Sequence, residues 1–155
     1  MAITKIKEIT NLPIINLVLD TIEKEKQALV FVNTKRSAEK TAFEISRKIK
    51  KSEAKKLLTL SEDVLKALSK PTKQCQQLAL CIKKGVAFHH AGLHIKQKDL
   101  VENAFRDKLI KIIACTPTLA AGMDLPAFRV IIHSLKRFTG KWGMDWIPVL
   151  EYLQM

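Results

Sequence analysis

The 155 residues carry 27 Lys and Arg against 15 Asp and Glu, a formal net charge of +12, and 47% of them are apolar. That apolar share suffices for one packed core and argues against disorder, while the length leaves no room for two large domains. No apolar run reaches the ~20 residues of a membrane span, and the opening MAITKIKEIT lacks the apolar stretch of a secretory leader, so a cytoplasmic protein (nuclear if eukaryotic) with no membrane partner is expected.

In chain order, Asn11-Leu12-Pro13 marks a helix start, and Ile14, Ile15, Leu17, Val18 and Ile22 continue it as an apolar stripe to about Glu25. Ala28–Val32 is short, continuous and β-rich, the pattern of a strand buried on both faces. After Asn33-Thr-Lys-Arg-Ser37 a helix is expected from about Ser37 to Lys50, facing inward through Ala38, Ala42, Phe43, Ile45 and Ile49. Residues 52–84 show no strand. Thr59 with Glu62 suggests a capping box for a helix through Leu68, Pro71 breaks it, and Thr72–Lys84 forms another, so the region reads as a helical insertion.

Gly85–His90 is a second strand, Ala91–His94 a loop, and Lys96–Lys108 a helix built on Leu100, Val101, Ala104 and Phe105. Leu109–Cys115 and Phe128–His133 complete four strands. Strands alternating with helices predict an α/β fold with a parallel, helix-covered sheet, and the whole of 1–155 as a single domain. Cys75, Cys81 and Cys115 have no metal-ligand spacing and read as reduced, mostly buried thiols.

In such sheets ligands bind beyond the carboxyl ends of the strands. Three polar segments fall there: Asn33–Arg36, His89–Gly92, and Thr116-Pro-Thr118 with Gly122 and Asp124 beyond it. Several specific chemistries fail at these loops. His90 and His94 have zinc spacing but no accompanying glutamate, and Gly92 lies between them. No serine sits in a Gly-x-Ser-x-Gly elbow, and neither Gly-x-Gly-x-x-Gly nor Gly-x-x-x-x-Gly-Lys-Ser/Thr occurs.

What survives is a polyanion-binding edge. Between Lys35 and Lys73 there are 12 basic and 5 acidic residues, an electrostatic footprint for nucleic acid. A solvated lysine-rich helix face remains the other reading of Arg47–Lys56. Thr116 and Thr118 at a strand-to-helix junction suit a phosphate, and Asp124 suits a ribose hydroxyl. The alternative is that Thr116 caps a helix and Asp124 a turn.

The stretches LVFVNTKRSAE (29–39), GVAFHHAGL (85–93) and ACTPTLAAGMDLPA (114–127) resemble successive motifs of the second RecA-like domain of superfamily-two DExH helicases. The likeness is to the superkiller-like branch, with its archaeal Holliday-junction-migration and fork-repair DNA helicases and their animal relatives. The resemblance covers nearly the whole chain in order. It implies a RecA-like parallel sheet covered by helices on both faces, and a motor domain that meets single-stranded or forked DNA and the first RecA-like domain of the same protein, as a monomer.

By this resemblance Asn33, Thr34, Lys35 and Arg36 contact phosphates of the translocating strand, and His90, Ala91 and Gly92 form the next nucleic-acid loop. Thr116 and Thr118 touch the backbone, and Gly122 and Asp124 face the nucleotide. Many relatives have asparagine where this chain has Asp124. The stretch HSLKRFTGKWGMDWI (133–147) holds both tryptophans and glycine-marked turns. It is expected to contain a strand-separating hairpin through Arg137, Phe138, Lys141 and Trp142, as these helicases carry there. The other reading is that the tryptophans are core or dock on a further domain.

The resemblance implies ATP and Mg²⁺ for the complete enzyme, and no catalytic residue or tight cofactor site is expected in these residues. The family follows the Gln-Met seen at 154–155 with Ala-Gly-Arg-Ala-Gly-Arg, so an excised domain or truncated product, inert as an ATPase by itself, is expected. A non-enzymatic nucleic-acid-binding module of helicase ancestry is the alternative.

Overall fold

The computed structural model describes residues 13–50, 54–116, 127–132 and 149–151. Three helices and four strands of the expected alternation are present among the described residues: α1 (Pro13–Glu23), β1 (Ala28–Phe31), α2 (Lys35–Lys48), β2 (Val86–His89), α5 (Ile95–Arg106), β3 (Ile112–Cys115) and β4 (Arg129–Ile132), with α3 (Lys55–Lys66) and α4 (Lys73–Ile82) between α2 and β2. A further strand, β5 (Val149–Glu151), was not expected. The sheet order is β2-β3-β1-β4-β5, parallel except that β5 runs antiparallel beside β4.

The strands are mostly apolar because both faces of the sheet are covered. β2 and β3 are buried at every residue. The register pairs Phe88 with Ala114, Ala114 with Val30, and Val30 with Ile131, so these side chains share one face. Against that face lie α2 and α4. Arg129, on the same face, is tied to α1 by Nη1 donating to Asp20 at 2.6 Å and to Thr21 at 3.2 Å. On the opposite face α5 brings Glu102 to 3.8 Å from His89. The crossover from β1 to β2 and the return from β2 to β3 move in opposite directions along the sheet. Two right-handed connections of that kind must lie on opposite faces.

Two expectations are corrected. Thr59 does not cap a helix: α3 starts at Lys55, and the Thr59 hydroxyl, already inside it, donates to Lys55 O at 3.2 Å. A cap signal is read from local spacing, but apolar Leu57 and Leu60 pack inward and carry the helix a turn further back. α2 likewise begins before Ser37, at Lys35, because Thr34 supplies the N-cap, its Oγ1 accepting from Ser37 N at 3.0 Å.

The parallel topology sorts the helix ends. α1, α2, α4 and α5 all finish at the amino edge of the sheet, where Lys48, Lys83, Lys84, Lys108 and Lys111 gather. Cations there complement the negative ends of the helix dipoles. A cavity of about 490 Å³ at this edge is floored by Ile22, Ile49, Leu57 and Leu109. Glu25, Gly85 and Lys108, at its rim, take positive φ to turn helix into strand.

Candidate nucleic-acid interface

At the carboxyl edge the register levels three strand ends. Phe31, Cys115 and His89 are partners across β1, β3 and β2, so Val32, Thr116 and His90 follow side by side. Two hydrogen bonds carry the ladder one step further, Val32 N to Cys115 O at 2.9 Å and Thr116 N to His89 O at 3.3 Å. The three polar segments therefore emerge together, with that of β3 in the middle.

Helices α2, α4 and α5 begin at this same edge, and none has an acidic residue in its first turn. Instead the first turns carry Lys35 and Arg36, Lys73, and Lys96 and Lys98. Cations at the positive end of a helix dipole are unfavourable by themselves, and an anion brought to such a surface gains from both.

Of the expected residues, Asn33, Thr34, Lys35, Arg36, Ala91 and Gly92 are exposed, while His90 and Thr116 are buried. Thr34 is occupied as the N-cap, leaving Lys35 and Arg36 as the outward groups of α2. Gly92 lies under Lys35: a Cβ built on it would meet Lys35 Cδ at 3.7 Å, and His90 Cε1 and Nδ1 at 3.0 and 3.1 Å. The loops after β1 and β2 thus come close, and a side chain in place of Gly92 would crowd the imidazole of His90. Thr118, Gly122, Asp124, Arg137, Phe138, Lys141 and Trp142 lie outside the described residues.

The two histidines are built differently. Burial holds His90 below its ordinary value, with Lys35 and Lys98 adding to the effect and Glu39 opposing it. Its Nδ1 accepts from Gly92 N at 3.0 Å, and its Nε2 faces Glu39 Oε2 at 3.3 Å and Gln74 at 3.1 Å. His89 is pushed down to about 4, by burial first and then by Lys98 and His90. Its Nε2 is buried with no hydrogen-bond partner, Glu102 being too distant at 3.8 Å. Glu102 is raised by burial and by Asp99. Glu39, Gln74 and Lys98 were not singled out in the sequence; Lys98, in the first turn of a helix after a polar loop, carried the one local signal.

Among the described residues no group of three or more His, Cys, Asp or Glu side chains is placed to hold a metal ion. The cysteines are free and buried. Burial pushes Cys81 up to about 12 and Cys115 higher still. No helix among the described residues is long and apolar enough to cross a membrane.

The helicase conserved C-terminal domain family matches residues 5–145. Among characterised proteins the chain is similar to the ATP-dependent DNA helicase Hel308 of Methanocella arvoryzae, 49% identical over 144 residues, which are 90% of this chain and 19% of that protein. The same-named protein of Methanococcus vannielii is 41% identical over 151 residues, 96% of this chain and 20% of the relative. That of Pyrococcus horikoshii is 46% identical over 140 residues, 90% and 19% respectively. The chain thus spans about a fifth of the length of these relatives.

Proposed function

The chain belongs to the helicase conserved C-terminal domain family, in its Hel308-like branch, and from that premise we propose that it is the second motor domain of an ATP-dependent DNA helicase. Its part is to hold the phosphates of one DNA strand on the carboxyl edge of the sheet. The observation that carries this is the convergence of three level strand ends with three helix N-termini whose first turns are basic. Lys35 and Arg36 from α2, the Ala91-Gly92 turn, and Thr116 with Thr118 are the contacts. Backbone contacts of this kind position a strand without reading its bases.

Residues 1–155 form a single RecA-like domain, with α3 and α4 as an insertion into the β1–β2 crossover, for which α2 alone would serve. Gly122 and Asp124 border the nucleotide. Arg137, Phe138, Lys141 and Trp142 belong to a hairpin that parts the duplex, a reading supported by β5 running antiparallel beside β4. ATP and Mg²⁺ are used with a first RecA-like domain, which supplies the phosphate loop and metal carboxylates. The residues described here offer no triphosphate cradle, so no hydrolytic step is assigned to them. Single-stranded or forked DNA is the substrate, repair of stalled forks the setting, and the working unit a monomer inside the cell.

Fluorescence anisotropy of a labelled single-stranded oligonucleotide, titrated at several salt concentrations, tests the reading. Binding is expected to weaken steeply with salt as released counterions follow the phosphates neutralised, and to be indifferent to base sequence. No binding at low salt, or binding flat in salt, refutes it.

A further inference from the structure

Glu39 is an acid set among the bases of the candidate interface. Simple electrostatics makes it a repulsive neighbour for a phosphate, yet its carboxylate is spent on a buried group. Glu39 Oε2 lies 3.3 Å from His90 Nε2, and the His90 side chain is 1% exposed. On the other side of the ring Nδ1 accepts from Gly92 N–H at 3.0 Å. A neutral imidazole that accepts at Nδ1 carries its proton on Nε2, and this proton points at Glu39. Gln74, from α4, meets the same Nε2 at 3.1 Å, where its amide oxygen serves as a second acceptor once the amide is turned to face the N–H. The ring also stacks on Phe88, centroids 5.6 Å apart and planes within 7°.

Glu39 meets His90, His90 accepts from the Gly92 N–H, and the stem of Lys35 passes close by Gly92, where an added Cβ would reach it. We propose that Glu39, assisted by Gln74, is a positioning residue for the polyanion edge: it fixes the tautomer and rotation of His90, which shapes the Ala91-Gly92 turn and seats Lys35 above it. The proposal rests on the reading that this edge binds a DNA backbone. It also gives the helical insertion a task, because α4 holds one of the two acceptors.

The test uses a contradiction in sign. Glu39→Ala makes the surface more positive, so charge alone predicts tighter DNA binding. Loss of positioning predicts weaker binding, by about fivefold, the factor that ~1 kcal/mol of one hydrogen bond represents. Glu39→Gln removes the same charge but keeps an acceptor for Nε2–H, and is expected to bind at least as tightly as the wild type. Gln74→Ala should weaken binding less than Glu39→Ala. Thermal midpoints of each variant identify any that fail to fold, and ring ¹⁵N shifts of His90, recorded without DNA, read the tautomer directly. The expected result is a protonated Nε2 in the wild type and in Glu39→Gln. Tighter binding by Glu39→Ala, or a proton on His90 Nδ1, overturns the proposal. If the wild type binds no DNA, the proposed function fails, whereas the tautomer still decides whether Glu39 and Gln74 set the loop.

Discussion

Asp20→Ala removes a hydrogen-bonded carboxylate from a buried guanidinium. Arg129 is 1% exposed, and its Nη1 lies 2.6 Å from Asp20 Oδ2. The same nitrogen also donates to Thr21 Oγ1 at 3.2 Å and to Leu17 O at 3.4 Å. Breaking a buried ion pair from one side costs about 3–5 kcal/mol, because the remaining charge stays desolvated. Here other partners survive, Thr21 and Leu17 among them, and the Asp20 side chain is 16% exposed, so water can reach the gap. The loss should therefore fall near the lower end, about 3 kcal/mol, out of a total domain stability of roughly 5–15 kcal/mol.

Urea unfolding followed by far-ultraviolet circular dichroism reads the effect. With an m-value of about 2 kcal/mol/M, the midpoint should drop by ~1.5 M with m unchanged. Arg129→Met is the control. It removes the charge that needed a partner, fills a similar volume, and leaves Asp20 paired with Lys24 at 3.2 Å. Its cost should be less than half that of Asp20→Ala. A midpoint shift under about 0.5 M for Asp20→Ala, or an equal loss in Arg129→Met, would refute the view that a buried charge deprived of this carboxylate sets the cost.

Further tests follow from other residues. Because His89 titrates near 4 when folded, against 6.5 ordinarily, the unfolded chain takes up the proton first. Stability from this group is full above pH 6.5 and should decline by on the order of 2–3 kcal/mol as pH falls to 4; thermal melts of His89→Gln should show a shallower decline. Gln27 Nε2, buried, donates to Phe105 O at 2.6 Å and Ile110 O at 2.8 Å, so Gln27→Ala should cost about 2 kcal/mol in denaturant titration by taking a buried donor from each carbonyl, Phe105 O keeping the Lys108 N–H at 3.0 Å. Arg36→Ala and Thr116→Ala should each weaken oligonucleotide binding by about 1 kcal/mol in anisotropy. This chain alone should release no phosphate from ATP with DNA present, since its sequence carries no Gly-x-x-x-x-Gly-Lys-Ser/Thr phosphate loop. In a full-length helicase carrying this domain, Phe138→Ala and Trp142→Ala should slow duplex unwinding and spare DNA-stimulated ATPase activity; equal loss of both would remove the hairpin from strand separation.

Local chemistry made the elements legible. The continuous, β-rich apolar runs at Ala28–Val32 and Ile112–Cys115 read as strands buried on both sides, and Pro13, Pro71 and Thr72 mark helix boundaries through φ restriction and hydroxyl capping, which act within a turn. The motif residues Lys35, Arg36, His90, Gly92 and Thr116 could be named because they follow strands directly. Their arrangement could not. Strand order and register bring residues 32, 90 and 116 level, and the choice of neighbour depends on which helix faces bury most apolar area, a sum over the whole core. The misplaced cap at Thr59 has the same origin, tertiary packing of Leu57 and Leu60 overriding a local signal. Asp20 and Arg129 meet across 109 positions of sequence, and Glu39 and Gln74 reach His90 from two different helices. A charged side chain looks the same in sequence whether water or a buried partner compensates it, so only the folded core decided which acid holds β4 to α1 and which one props the candidate DNA edge.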